Sequence, residues 1–495
     1  MPRPVRAMAS TAGYLAAAVL LAACGSAEGT TPPAPATPTA VQMHADQPPA
    51  DAAEAPLRTD RARQGAGTLL SGGPAAPYNY APTALLDGGQ YRIWWCSQLP
   101  GVGVPGDDVL TASAGSLNGP YPEGVAVLHG SGDGFDAVHT CDPSVIRVNG
   151  IYYMYYTGAA ADAPFGNAIG LATSSDGVHW DRRPGPVVTP SMDTKRANTY
   201  GAGQPSVLRL DGWFYLMFTD TTGAAANSAG AGQFVLRSPD PAFATSVQAL
   251  TPTGFQDVAD TKSRRSLSVS NAYSADWMWV DALNAFAIAH EVDGKGTVIS
   301  FWDKDFTTHP YQDVTLGGHW KEGPGLIRRI DGHAPAASQD PCRRVPIDVV
   351  RATADDGNGP DGLGLFGVDV TDANGCQALA TSDGVAMPSP DRETVLVVGG
   401  RLVKIERRSV SAQVAVKVLD QPVPGLDSLP VVATIKAGQP VLHAPDRPYA
   451  FLVDGKLWPV GPAAVAANSS PVTETSDADW DAHPAGGDLS AYRGN

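Results

Sequence analysis

The chain has 495 residues, 43% hydrophobic and 17% charged, with a net charge of −16 and a sequence pI near 4.9. It has no basic cluster longer than Lys262-Ser263-Arg264-Arg265, so binding to a phosphate backbone is disfavoured and nucleic acid is excluded as a partner. An uncharged substrate is compatible with this balance.

Residues 1–24 carry Arg3 and Arg6 ahead of an apolar stretch at 12–23. That is the layout of a secretory signal, and it is too short to span a membrane. It ends in Leu21-Ala22-Ala23-Cys24-Gly25, which resembles the bacterial lipobox and implies acylation of Cys24. Residues 25–65 are rich in Ala, Pro and Thr and lack periodicity, so they are expected to form an extended tether. The expected location is therefore outside the cell, lipid-anchored at the bacterial envelope, with the lipid as the only membrane contact.

From residue 66 to 380 one phrase recurs five times, most clearly as CDPSVIRVNGIYYMYYTG at 141–158. The other copies begin at Ala81, Gln204, Asp276 and, in worn form, Gly323. Each reads as an apolar strand, a turn and an aromatic strand, with turns at Asp87-Gly88, Asn149-Gly150, Asp211-Gly212 and Asp331-Gly332. Asn-Gly and Asp-Gly pairs supply the positive φ that a tight hairpin needs. A third strand comes after each hairpin, in DDVLTASAGS, AIGLATSSDGVHW, GQFVLRSPDPAF, TVISFWDKDF and LGLFGVDVTD. Units of this size cannot bury their own apolar faces and must stack. The expected fold is all-β: a five-bladed β-propeller, with most of the aromatic residues packing between blades.

Apart from Cys24 the chain has Cys96, Cys141, Cys342 and Cys376. An even number in an exported protein points to disulfides. Of the three possible pairings, sequence proximity favours Cys96–Cys141 and Cys342–Cys376; no spacing suits zinc, and no cofactor motif is present. Beyond the repeats, hairpin-like phrases such as VDGKLWPV predict a small β-rich C-terminal module at 385–470, and residues 471–495 read as a disordered tail. GxSxG elbows, HExxH helices and phosphate-cradling loops are absent from the sequence, which removes the corresponding enzyme classes.

In a propeller the residues that begin each inner strand surround one pocket. Those positions are Ala81, Asp142, Gln204, Asp276 and the Glu322-Gly323 step, with Asn79 and Tyr80 just upstream of the first and His139 and His319 preceding inner strands. Asp107-Asp108, at the start of a third strand, reads as a solvated turn.

The phrases DPSVI, YYMYYTG, IGLATSSDGVHW and EGPGLI resemble those of the five-bladed propeller glycoside hydrolases, the family 43 class of β-xylosidases and arabinofuranosidases with relatives in families 32, 62 and 68. The resemblance covers about 300 residues and implies a carbohydrate substrate. It also implies an aspartate base, a tuning aspartate and a glutamate acid on successive blades. Asp142 matches the second role, but Ala81 and Gln204 stand at the first and third. Hydrolysis needs one carboxylic acid and one carboxylate, so the roles fall to Glu322 as acid, Asp276 as base and Asp142 as modulator. Asn79, Tyr80, Gln204, His139 and His319 would bind the sugar. The expectation is a monomeric, surface-tethered glycoside hydrolase acting on a plant or cell-envelope polysaccharide or oligosaccharide; the alternative is a catalytically silent, glycan-binding lipoprotein of the same fold.

Overall fold

A computed structural model describes residues 54–490 and 492, apart from 162, 338–339, 354–361, 372, 374, 377, 379–382, 390, 424–425 and 427–428. The expected signal segment, Cys24 and most of the tether lie outside these residues. Among the described residues no helix is long and apolar enough to cross a membrane.

The chain is all-β. Strand β1 (Arg58–Gln64) precedes four consecutive antiparallel groups. The first comprises β2 (Tyr80–Asp87), β3 (Gln90–Ser97), β4 (Asp108–Ala114) and β5 (Val125–Leu128). The second comprises β6 (His139–Val148), β7 (Ile151–Ala159), β8 (Ala168–Ser174) and β9 (Asp181–Arg182). The third has β10 (Ala202–Leu210), β11 (Trp213–Asp220), β12 (Gln233–Ser238), β13 (Gln248–Thr251) and β14 (Gly254–Asp257); the fourth has β15 (Ala275–Val280), β16 (Ala285–Val292), β17 (Gly296–Trp302) and β18 (Val314–Leu316). Finally β19 (Pro324–Arg329), β20 (Arg344–Thr353) and β21 (Gly362–Thr371) pair in order. The five third-strand phrases of the sequence correspond to β4, β8, β12, β17 and β21.

The first strand of each group touches the next: β2 meets β6, β6 meets β10, β10 meets β15, and β15 meets β19. The cycle closes because β19 pairs in parallel with β2, Ile327 opposite Ala84. Apolar side chains fill the space between neighbouring groups, as Tyr155 and Ile146 do against Leu216 and Phe218, and Tyr215 and Met217 against Trp277 and Phe286. These central strands are largely buried, β15 and β19 along their whole length, yet they carry buried charges, Asp276 in β15 and Arg328 and Arg329 in β19.

Four expectations need correction. Residues 58–64, placed in the tether, form β1 and pair with β21. Arg63 there donates to Asp348 Oδ1 at 2.6 Å and to the Val368 carbonyl at 2.7 Å, so this segment adds a strand to the last group. Residues 471–495 are not wholly irregular: Val472–Glu474 is a strand, Asp477–Asp481 a helical turn and Leu489 fully buried. The first turn is Gly88-Gly89, both at positive φ, one residue later than Asp87-Gly88. And Asp331-Gly332 makes no hairpin. Instead the carbonyls of Ile330, Asp331 and Gly332 accept from the backbone N–H groups of Arg147, Arg209 and Trp279, so this segment crosses beneath three central strands. A Cβ at Gly332 would lie 2.5 Å from Leu208 Cβ, and glycine permits the crossing.

The pairing of β1 sets a prediction for the N-terminal boundary. A chain beginning at residue 66 leaves Asp348 and Asp369 without Arg63, and removing one partner of such a half-buried pair costs on the order of 3 kcal/mol. Urea unfolding of chains starting at 54 and 66 should show the shorter one markedly less stable; equal midpoints would mean β1 is dispensable.

The C-terminal segment forms two further sheets, one built on β22 (Val385–Pro388), β23 (Thr394–Val398) and β24 (Arg401–Ile405), the other reaching past residue 470 to include Val472–Glu474. Its core joins Phe451 and Trp458 to Val465 of the helix Pro462–Asn468.

Candidate active site

A shared device shapes the upstream ends of the central strands. Ala81, Asp142 and Gln204 all adopt left-handed backbone, with φ of 46°, 48° and 50°, and each precedes a proline. Gly323, before Pro324, has φ 55°. Proline offers no N–H to the ladder, so pairing breaks there and the strand bulges. The register shifts between Tyr80 and Thr83, Cys141 and Ser144, and Gly203 and Ser206 mark these bulges. A non-glycine residue held at positive φ costs of order 1–3 kcal/mol, and such residues cluster at functional sites.

Two residues further on, a belt of side chains ties the strands together. Thr83 Oγ1 accepts from the Val145 N–H at 3.4 Å, Ser144 Oγ from Val207 at 3.0 Å, Ser206 Oγ from Trp277 at 3.3 Å, and Asp276 Oδ2 from Leu326 at 2.7 Å. Arg328, fully buried, threads this belt. It donates to the carbonyls of Val207 and Trp277 at 3.0 and 3.1 Å and to Thr83 Oγ1 at 2.8 Å, and its Nη1 lies 3.3 Å from Asp276 Oδ1.

The belt corrects the reading of Asp276 as a base. Asp276 does not line the cavity above the belt; it lies buried among the central strands as the counter-ion of Arg328, its oxygens held also by Ser206 and the Leu326 N–H. The residue matching Asp142 on the fourth strand is Ser274, three positions before Trp277 as Asp142 is three before Val145. The fourth strand has no residue–proline step, so the sequence offers no bulge to count from.

Above the belt lies a cavity of about 370 Å³ lined by Tyr80, Asp107, His139, Asp142, Thr157 and Tyr200, within the size range of small-ligand sites. Gly203 makes room for its wall, because a Cβ there would run into the Tyr200 hydroxyl. The disulfide Cys96–Cys141 joins β3 to β6 immediately before Asp142, and Cys342–Cys376 is also formed, so both expected pairings hold.

The acids here are held in different states. Asp107 accepts from Tyr78 and, at 3.2 Å, from Tyr80, while His139 Nδ1 lies 3.3 Å from its Oδ2. Burial would raise the Asp107 carboxyl, but the contacts with His139 and Tyr78 outweigh it and hold it below the usual aspartate range. Asp142, whose Oδ2 accepts from the Tyr200 hydroxyl at 3.3 Å, is pushed up to about 6, first by burial and then by the charge of Asp107, against hydrogen bonds from Thr157 and Tyr200. Glu322 is exposed to solvent and outside the cavity's lining, although protein atoms crowd around its carboxyl. That crowding, and then the charges of Asp142 and Asp107, push its carboxyl up to about 7.

Asp142, Tyr80 and His139 thus line the cavity as expected, and Glu322 acts on it electrostatically. Three sugar-binding expectations need correction. Asn79 is fully buried and its Oδ1 accepts from the Gly72 N–H and the Trp95 indole at 2.8 and 2.9 Å, so it secures the chain. Gln204 sits on its bulge with its backbone N–H on Thr157 Oγ1 at 2.8 Å, but does not line the cavity. His319 lies exposed in the loop after β18 and is no part of the lining. Asp107 is the acid that sequence reading passes over. The starts of β2 and β4 lie at one end of an antiparallel group, with Ser97 opposite Asp108, and that parity places Asp107 beside Tyr80.

No family model matches the chain. A stretch of 101 residues, 20% of this chain, is 34% identical to an uncharacterised protein of Mycobacterium tuberculosis strain CDC 1551 / Oshkosh, and equally to one of strain ATCC 25618 / H37Rv. The chain spans about a third (32%) of the length of these curated relatives. Among solved structures it is similar to a family 117 glycoside hydrolase of the marine bacterium Zobellia galactanivorans, with TM-score 0.42 and 11% identity over 65% of this chain and 91% of that one. It is also similar to an α-L-arabinofuranosidase of Podospora anserina solved with cellotriose, with TM-score 0.39 and 11% identity over 63% and 97%. The catalytic domain of a family 62 α-L-arabinofuranosidase of Coprinopsis cinerea gives TM-score 0.40 and 13% identity over 63% and 97%.

Proposed function

We propose that this chain is a glycoside hydrolase built on a five-bladed β-propeller and tethered outside the cell by a lipid on Cys24. The observation that carries the reading is that Asp107 and Asp142 line one cavity while Glu322, outside its lining, feels the charges of both, with Asp107 pushed down and Glu322 up. Acid/base pairs are recognised by such divergence. Glu322, protonated near neutrality, donates its proton to the glycosidic oxygen as the C–O bond breaks. Asp107, ionised, takes a proton from the water that bonds to the anomeric carbon. Asp142 holds Glu322 in its protonated form by its neighbouring charge, and Tyr80 and Tyr200 offer ring faces for a sugar. The substrate class we favour is a plant or cell-envelope polysaccharide or oligosaccharide cleaved in the manner of a β-xylosidase or arabinofuranosidase.

A catalytically silent glycan binder is the second reading, favoured by Ala81 and Gln204 at two bulge positions. Release of reducing sugar from xylan, arabinan and a panel of nitrophenyl glycosides separates the two. Hydrolysis by the wild-type chain and its loss in Asp142→Asn supports the enzyme. Glycan binding without hydrolysis of any panel member supports the silent binder.

A further inference from the structure

A second, larger cavity, of about 780 Å³, lies at the opposite end of the central strands, between the hairpin ends around Asn149 and Asp211 and the C-terminal module at Gly399, Asp488 and Tyr492. Its cations are almost all matched to acids. Arg147 pairs with Asp87 at 3.2 Å, Lys304 with Asp211, and His333 with Asp281 at 3.1 Å. Arg209 differs in that, among the described residues, no acid lies within ion-pair distance of its guanidinium; its buried Nε without a partner is a feature it shares with Arg328, Arg329 and Arg351. Its charge is felt by Tyr492 on the facing wall and by Tyr153. A guanidinium in a cavity wall without a counter-ion is open to an anion, and its planar fork of Nη donors suits a carboxylate in two-point contact. The rest of the wall supplies acceptors for hydroxyl groups, the carboxylates of Asp383 and Asp488.

We propose that this cavity is a ligand site for a carboxylate-bearing sugar, a uronic acid, with Arg209 gripping the carboxylate and the C-terminal module closing over it. The carboxylate contact stands on the geometry alone; that the rest of the ligand is a sugar rests on the proposed hydrolase reading. The site is separate from the catalytic cavity, since no residue lines both.

Calorimetric titration of residues 54–495 with D-galacturonate, D-galactose and acetate tests it. Galacturonate should bind more tightly than galactose. Arg209→Gln should weaken galacturonate roughly tenfold to a hundredfold, the usual worth of a charged hydrogen bond, with Arg209→Lys intermediate, and Tyr492→Phe weakening it from the other wall. Glu322→Gln, at the catalytic end, should leave this binding unchanged. If acetate competes as well as galacturonate, the carboxylate grip stands and the sugar part is overturned. Equal binding of galacturonate by wild type and Arg209→Gln, or binding lost in Glu322→Gln but kept in Arg209→Gln, overturns the proposal without touching the hydrolase reading.

Discussion

Replacing Glu322 with glutamine is expected to lower kcat/KM by roughly 10²- to 10⁴-fold, the usual contribution of a positioned general acid. The side chain keeps its size and polarity, so binding of the sugar should persist while proton transfer is lost. The size of the loss should depend on the leaving group. A nitrophenolate departs without help from an acid, so nitrophenyl glycosides should suffer least, whereas a sugar leaving group needs its oxygen protonated and should suffer most. Parallel kinetics on a nitrophenyl glycoside and on the matching oligosaccharide measure this difference. An equal loss on both substrates would move Glu322 from proton donor to a binding role.

Asp276→Asn is expected to damage stability and not the shape of the pH profile. Arg328 is fully buried, and the Asp276 carboxylate is its counter-ion as well as a link in the belt. Burial lowers the Arg328 pKa and Asp276 works against it. Asparagine keeps one acceptor but removes the charge, leaving a guanidinium desolvated among the central strands. Breaking a buried pair from one side costs about 3–5 kcal/mol, and here the belt that joins the five central strands weakens with it. Replacing Asp276 and Arg328 together by asparagine and methionine should recover part of that loss, because no uncompensated charge remains. Urea unfolding of the single and double variants measures both effects. A stable Asp276→Asn protein with an altered acidic limb would instead return Asp276 to the catalytic machinery.

The repeat phrase makes the strand groups legible because each apolar-turn-aromatic run has to find a neighbour to cover it. Asn149-Gly150 and Asp211-Gly212 announce their hairpins through the positive φ they adopt. The third strands and the disulfide pairings are legible in the same way. The misplaced residues share a cause, which is that spacing along the chain is not spatial register. The bulges at Ala81-Pro82, Asp142-Pro143 and Gln204-Pro205 shift the register of the residues after them, and the fourth strand lacks the mark. Counting along the sequence therefore sets Asp276 two residues out of place, when it belongs to a belt built to bind Arg328. Asn79 misleads because a polar residue beside a site can serve the scaffold, as its contacts with Gly72 and Trp95 do. Asp107 is hidden by its own context, since an Asp-Asp pair ahead of a strand reads as a turn until strand parity is applied. The role of Arg58–Gln64 is illegible for another reason: with five of its seven residues charged or amide-bearing, it has no apolar alternation and is held by an edge that only the folded chain supplies.

The pH dependence of kcat/KM on the best-cleaved oligosaccharide tests the central claim most directly. Glu322 must be protonated, so activity should fall as pH rises through about 7. Asp107 must be ionised, so activity should persist on the acid side until pH drops below the ordinary aspartate range. The account predicts a profile with its alkaline limb near 7 in the wild-type chain and no such limb in the residual activity of Glu322→Gln. An alkaline limb that survives unchanged in Glu322→Gln would contradict it.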